Sequence, residues 1–219
     1  MACRNSDPQM DHPAPDQRAD KRFTLILRSG KLITPAGEFL CVLRDISNGG
    51  LKIRLFHPLA LDSACEIELS GGERYRLEPA WQRGQEAGLR FAAVPVDIEQ
   101  FLEQAGPFPK RAIRLGLRSG WPVRLHGSGA ILPAVICDLS QHGSAVLCGS
   151  RLPVGQLVAI EAEGLGTIEA RVRWRRGERY GLVFQQSFRL DALARIAYRL
   201  QSDNLGPTLR SAQPALTTD

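Results

Sequence analysis

The sequence predicts a mainly β protein: two tandem copies of one small antiparallel domain, each followed by a C-terminal helix. Three observations predict it. First, the chain repeats itself: Asp45-Ile46-Ser47-Asn48-Gly49-Gly50 is answered 93 residues later by Asp138-Leu139-Ser140-Gln141-His142-Gly143. At the same offset Leu59 meets Leu152, Ile67-Glu68 meets Ile160-Glu161, Trp81 meets Trp174, and Gly88-Leu89-x-Phe91 meets Gly181-Leu182-x-Phe184. A period this long marks two copies of a whole domain rather than a solenoid. Second, short apolar and β-branched runs recur about every ten residues with Gly and Pro between them, the pattern of an antiparallel sandwich or barrel. Third, a helical period follows the last strand of each copy.

In the first copy the strands read as Phe23–Leu27, Phe39–Leu43, Leu51–Leu55, Glu66–Leu69, a run ending at Trp81, and Ala87–Phe91. The second copy repeats the order with Ala134–Cys137, Ala145–Leu147, Leu157–Ile160, Glu169–Trp174 and Tyr180–Phe184. The first helix runs from Asp97, its cap, to Gln104, and is ended by Gly106-Pro107. The second, Asp191–Leu200, places Leu193, Ile196, Ala197 and Leu200 along one face. Residues 1–17 are therefore expected to form a disordered tail, 18–106 the first domain, 107–201 the second, and 202–219 a disordered C-terminal tail. Gly106-Pro-Phe-Pro109 is the linker.

The chain has 219 residues, 43% of them apolar and 23% charged, enough for two domains of about 90 residues with adequate cores and no disulfides. Met1–Asp20 carries three prolines among polar residues and no apolar stretch for a signal peptide or membrane span, so the expected location is the cytoplasm. Five cysteines, none in a C-x-x-C pair, fit small buried residues of a reducing compartment better than a disulfide or zinc framework. The net charge of +5 is uneven: residues 23–106 hold nine basic and eleven acidic groups, 107–184 eleven and five. That excess suits an anionic partner or a solvated basic face.

Two motifs carry chemistry. A pair of arginines four residues apart lies just before the first strand of each copy, Arg18 with Arg22 and Arg114 with Arg118. The second pair is displaced by 96 rather than 93, which a shortening of three residues before the Asp-x-Ser loop would explain. In an extended segment residues i and i+4 point the same way, so both guanidinium groups can converge on one ligand. Their planar forks suit phosphate and the guanine O6 and N7 edge. The Asp-x-Ser-x-x-Gly loop supplies the complement: a carboxylate to accept from a guanine edge, a hydroxyl, and a glycine that lets backbone approach the ligand. Alternatively Asp and Ser only close a turn on their own backbone. His12, His57, His126 and His142 are scattered without metal-ligand spacing, Ser47 and Ser140 lack a shared His-Asp arrangement, and Trp81 and Trp174 read as barrel core. At 6% aromatics the chain does not read as a single-strand nucleic-acid binder.

An arginine pair R-x-x-x-R, a strand, D-x-S-x-x-G, then Trp and G-L-x-F resemble the PilZ domain, here twice, over about residues 18–105 and 110–200. The resemblance implies two six-stranded antiparallel β-barrels with C-terminal helices that bind cyclic diguanylate without catalysis. It implies that Arg18 and Arg22 grip phosphate and guanine while Asp45, Ser47 and Gly50 read the base. Arg114, Arg118, Asp138, Ser140 and Gly143 would do the same in the second copy. No cofactor or metal is expected beyond that ligand, and a downstream protein is the expected partner, nucleic acid not. The rivals are an adaptor that has lost ligand binding in one or both copies, and a basic nucleic-acid-binding barrel. Because Arg114 and Arg118 follow the linker at once, ligand there is expected to act on domain orientation, unless Ile113, Leu115 and Leu117 already pin the arm to a barrel.

Overall fold

The computed structural model describes residues 23–93, 96–102, 112–127, 129–162 and 166–202. The expected N-terminal tail, the linker Gly106–Pro109, Arg18, Arg22 and residues 203–219 lie outside them.

The first copy comprises β1 (Phe23–Thr34), β2 (Gly37–Ser47), β3 (Gly50–Leu55), β4 (Cys65–Glu68), β5 (Arg74–Arg83), β6 (Glu86–Phe91) and α1 (Ile98–Leu102). The second comprises β7 (Leu115–Gly127), β8 (Ala130–Ser140), β9 (Gly143–Leu147), β10 (Leu157–Ala162), β11 (Gly166–Arg176), β12 (Arg179–Phe184) and α2 (Leu190–Ser202). Each set of six strands closes into an antiparallel barrel of one topology: β1-β2-β3-β6-β5-β4 in the first, and β7-β8-β9-β12-β11-β10 in the second. Closure leaves no sheet edge to aggregate. Alternation then sends one face of each strand into a core such as Leu32, Phe39, Leu43, Ile53, Ile67 and Leu77 of the first barrel, all fully buried. Cys41 and Cys65 are buried there too, and burial pushes their thiols up to about 12 and about 11, as inert core residues.

The opening strands are longer than the sequence pattern implied. Arg28-Ser-Gly-Lys31 and Arg118-Ser-Gly120 have turn composition, yet both continue as strand because a long partner, β2 or β8, pairs with them out to Thr34↔Gly37 and Gly127↔Ala130. These hairpins keep the offset of 93, so no three-residue shortening exists. The departure is one extra residue in a bulge: Thr24↔Asp45 and Arg28↔Leu43 bracket three residues, Gly116↔Asp138 and Trp121↔Ile136 bracket four. Counted in sequence, Arg114 stands two residues before the partner of its loop aspartate, Gly116, as Arg22 stands two before Thr24, and Arg118 falls inside strand β7.

The barrels share an interface. Leu193, Ile196, Ala197 and Leu200 of α2 pack on the second core as their spacing predicts. The helix also reaches back to the first barrel: Tyr198 stacks on His57 at 4.1 Å between ring centroids, and Gln201 accepts from the Glu38 amide (2.9 Å) and donates to its carbonyl (2.5 Å). Burial holds His57 down to about 4 against a smaller opposing pull from the Pro58 backbone, so its ring stays neutral in this contact near neutral pH. Leu40, from the other face of β2, joins the second core. Glu38 Oε2 accepts from the Gly116 amide (2.7 Å) and pairs with the buried Lys31 (3.2 Å). Leu115 and Leu117 are buried in the second barrel with Ile113 against it, so the arm is pinned from Ile113 onward.

Candidate functional site

The D-x-S-x-x-G motif is a hairpin. Ser47 pairs with Gly50 across Asn48-Gly49, and Ser140 with Gly143 across Gln141-His142. Asn-Gly is a strong two-residue hairpin signal. Both serines close the turn as the plainer alternative held: Ser47 Oγ donates to the Gly50 carbonyl at 3.5 Å and Ser140 Oγ to the Gly143 carbonyl at 2.9 Å. The glycines are also required by the barrel. A Cβ at Gly50 would lie 2.3 Å from the Leu89 carbonyl oxygen, and one at Gly143 2.2 Å from that of Leu182. Backbone crowding by the neighbouring strand is enough to require glycine here.

Register places the rest of the site across the outer barrel wall. In the first copy Asp45, Lys52, Gly88 and Trp81 form one row over β2-β3-β6-β5, and Ser47, Gly50, Arg90 and Glu78 the next. In the second the rows are Asp138, Ala145, Gly181, Trp174 and Ser140, Gly143, Val183, Arg171. The first-copy rows line a shallow cavity of ≈ 180 Å³ whose wall includes Asp45, Ser47, Lys52, Trp81 and Arg90.

Trp81 and Trp174 are not core. They are 42% and 37% exposed, because a bulge in β5 and in β11 turns each indole onto the outer wall. There each covers a glycine, Gly88 or Gly181, where a Cβ would lie 2.1 or 2.0 Å from the indole Nε1. Each copy thus offers an aromatic plate at one end of a row and a carboxylate at the other.

The electrostatics of the two copies differ. Asp138 Oδ1 accepts from Arg114 Nη1 (2.8 Å) and the Ala145 amide (3.0 Å), and Oδ2 from Arg179 Nη2 (3.0 Å). In the first copy the position of Arg179 is Glu86, whose carboxylate takes Lys52 Nζ at 2.7 Å. That hydrogen bond holds the Glu86 carboxyl below the usual carboxylate range.

Arg114 and Arg118 lie on the same outward side of the arm, with Leu115 and Leu117 turned inward between them, and the alternation breaks only beyond Arg118. In this structure Arg114 goes to Asp138, while Arg118 is exposed beside a groove of ≈ 290 Å³ between the barrels, with Thr34, Glu38 and Cys137. Sequence reasoning missed Lys52, Arg90, Arg179 and the exposure of both tryptophans; at the offset of 93 Lys52, Arg90 and Arg179 meet Ala145, Val183 and Glu86, so the repeat does not mark them. Among the described residues no group of three His, Cys, Asp or Glu side chains could hold a metal, and no helix is long and apolar enough to cross a membrane.

The family model described as "PilZ domain" matches residues 16–105 and again 110–199. Solved structures similar to the chain include PlzA of Borreliella burgdorferi in complex with c-di-GMP, at 13% identity and TM-score 0.33, covering 81% of this chain and 93% of that one. YcgR of Escherichia coli in complex with c-di-GMP gives 16% identity, TM-score 0.32 and coverage of 81% and 85%. The Bacillus subtilis inhibitor of motility MotI gives 17%, 0.33, and 83% and 100%. No curated protein matches the chain.

Proposed function

Since the chain belongs to the PilZ domain family in two tandem copies, we propose that it is a non-catalytic cytoplasmic receptor for cyclic diguanylate. The observation that carries this reading is the row of Asp, Gly and Trp repeated on the outer wall of both barrels. A carboxylate takes the N–H donors of a guanine edge and an indole face takes its π-surface, while arginines take phosphate. The site residues on this reading are Asp45, Ser47 and Gly50 with Arg18 and Arg22, and Asp138, Ser140 and Gly143 with Arg114. Arg118 belongs to the same arm, on the outward side with Arg114, and meets ligand by swinging its exposed side chain out of the groove. Trp81 and Trp174 add the stacking surfaces.

With the arm pinned from Ile113 onward, output would pass through domain arrangement at the interface between the barrels, rather than through the arm itself, to a downstream protein. Arg114 lies two residues from Gly116, whose amide is bonded to Glu38 of the first barrel, so moving Arg114 from Asp138 to a ligand loads the interface. Calorimetric titration with cyclic diguanylate, GMP and cyclic AMP tests the reading, with scattering recorded on the same samples. The dinucleotide alone is expected to bind tightly, and saturation is expected to alter the interdomain dimensions. Equal binding of GMP would reject the two-phosphate site, and unchanged scattering would reject the interface as the output.

A further inference from the structure

We propose that the two sites fill at different ligand concentrations, because Arg179 holds the second one shut in the free protein. The proposal rests on the receptor reading and adds to it a threshold difference and the residue that sets it.

The Asp138 carboxylate is 17% exposed and carries three donors, an arginine on each oxygen and the Ala145 amide. Two carboxylate oxygens offer about four lone-pair directions between them. A guanine edge presents two adjacent N–H donors and needs both oxygens in one plane, so it cannot seat until at least one arginine leaves. Arg114 belongs to the ligand arm and can transfer its fork to phosphate. Arg179 comes from β12, on the far side of β9, and has its own half-exposed ion pair to lose.

The first copy is built the opposite way at each of these positions. Glu86 stands where Arg179 does, and its carboxylate takes Lys52, so no arginine comes from that position to the loop aspartate. Lys52 stands where Ala145 does, with its ammonium drawn to Glu86. Arg90 stands where Val183 does, exposed on the cavity wall beside the loop glycine, and places a cation in reach of a ligand phosphate. The first site therefore starts without the Arg179 clamp and with an extra cation, the second with the clamp and an aliphatic side chain.

Calorimetry with cyclic diguanylate separates the sites: Asp138→Ala reports the first and Asp45→Ala the second. The first is expected to bind about tenfold more tightly. Adding Arg179→Ala to Asp45→Ala should tighten the second site about three- to tenfold, the span expected for releasing a half-exposed ion pair. Arg179→Lys, which keeps a cation near Asp138, should stay close to the parent, and melting curves establish that each variant is folded. Unchanged or weaker binding on Arg179→Ala would overturn the proposal, making Arg179 a bystander or a ligand contact. Binding by Asp138→Ala with none by Asp45→Ala, with or without Arg179→Ala, would also overturn it while leaving the receptor reading intact. No binding by any folded variant or the parent would defeat that reading itself.

Discussion

The double variant Asp45→Ala/Asp138→Ala is expected to lose cyclic diguanylate binding at both sites while remaining folded. Each aspartate sits at the end of a row on the outer wall, and Asp138 bonds mainly to half-exposed arginines, so its removal costs the barrel little. For ligand the loss is large. A hydrogen bond to a charged group is worth about 1.5–3 kcal/mol, and a guanine edge would lose two of them, roughly a hundredfold or more per site. Titration of the single and double variants checks this. Parental affinity in the double variant would show that ligand, if bound at all, lies elsewhere.

Gly143→Ala is expected to lower stability as well as binding. Its new Cβ would meet the Leu182 carbonyl oxygen at 2.2 Å, and only movement of β9 away from β12 can relieve that contact. Overpacking of this kind typically costs about 1–3 kcal/mol, which for a domain of this size lowers the melting temperature by roughly 5–20 °C. Gly50→Ala in the first copy should behave alike, against Leu89. If the glycines served only to admit ligand, both variants would melt like the parent and fail only in titration.

The sequence makes the repeat, the barrel class and the hairpin loops legible because each leaves a local mark. The offset of 93 holds from the first hairpin to the last strand, and Asn48-Gly49 announces its own turn. The opening strands are harder to read, since Arg28-Ser-Gly-Lys31 has the composition of a loop and becomes strand only because β2 extends beside it. The two tryptophans look like core residues until the bulges that turn them outward are known. Register also decides the arm. Equal spacing within Arg18–Arg22 and Arg114–Arg118 hides the single extra residue that aligns Arg114 with Arg22 and parts Arg118 from Asp138. Lys52, Arg90 and Arg179 are single charges on alternating strands. Such residues carry no signature until neighbouring strands bring them beside the loops.

The three tryptophans provide the most direct measurement of where ligand sits. Trp81 and Trp174 lie on the outer walls, whereas Trp121 is 7% exposed within the second core. Indole N–H resonances followed by NMR during addition of cyclic diguanylate are expected to shift for Trp81 first and for Trp174 at higher concentration, with Trp121 nearly still. Assignment by Trp→Phe replacement of each in turn makes the result unambiguous. Saturation of the protein with neither Trp81 nor Trp174 displaced would contradict the outer-wall site.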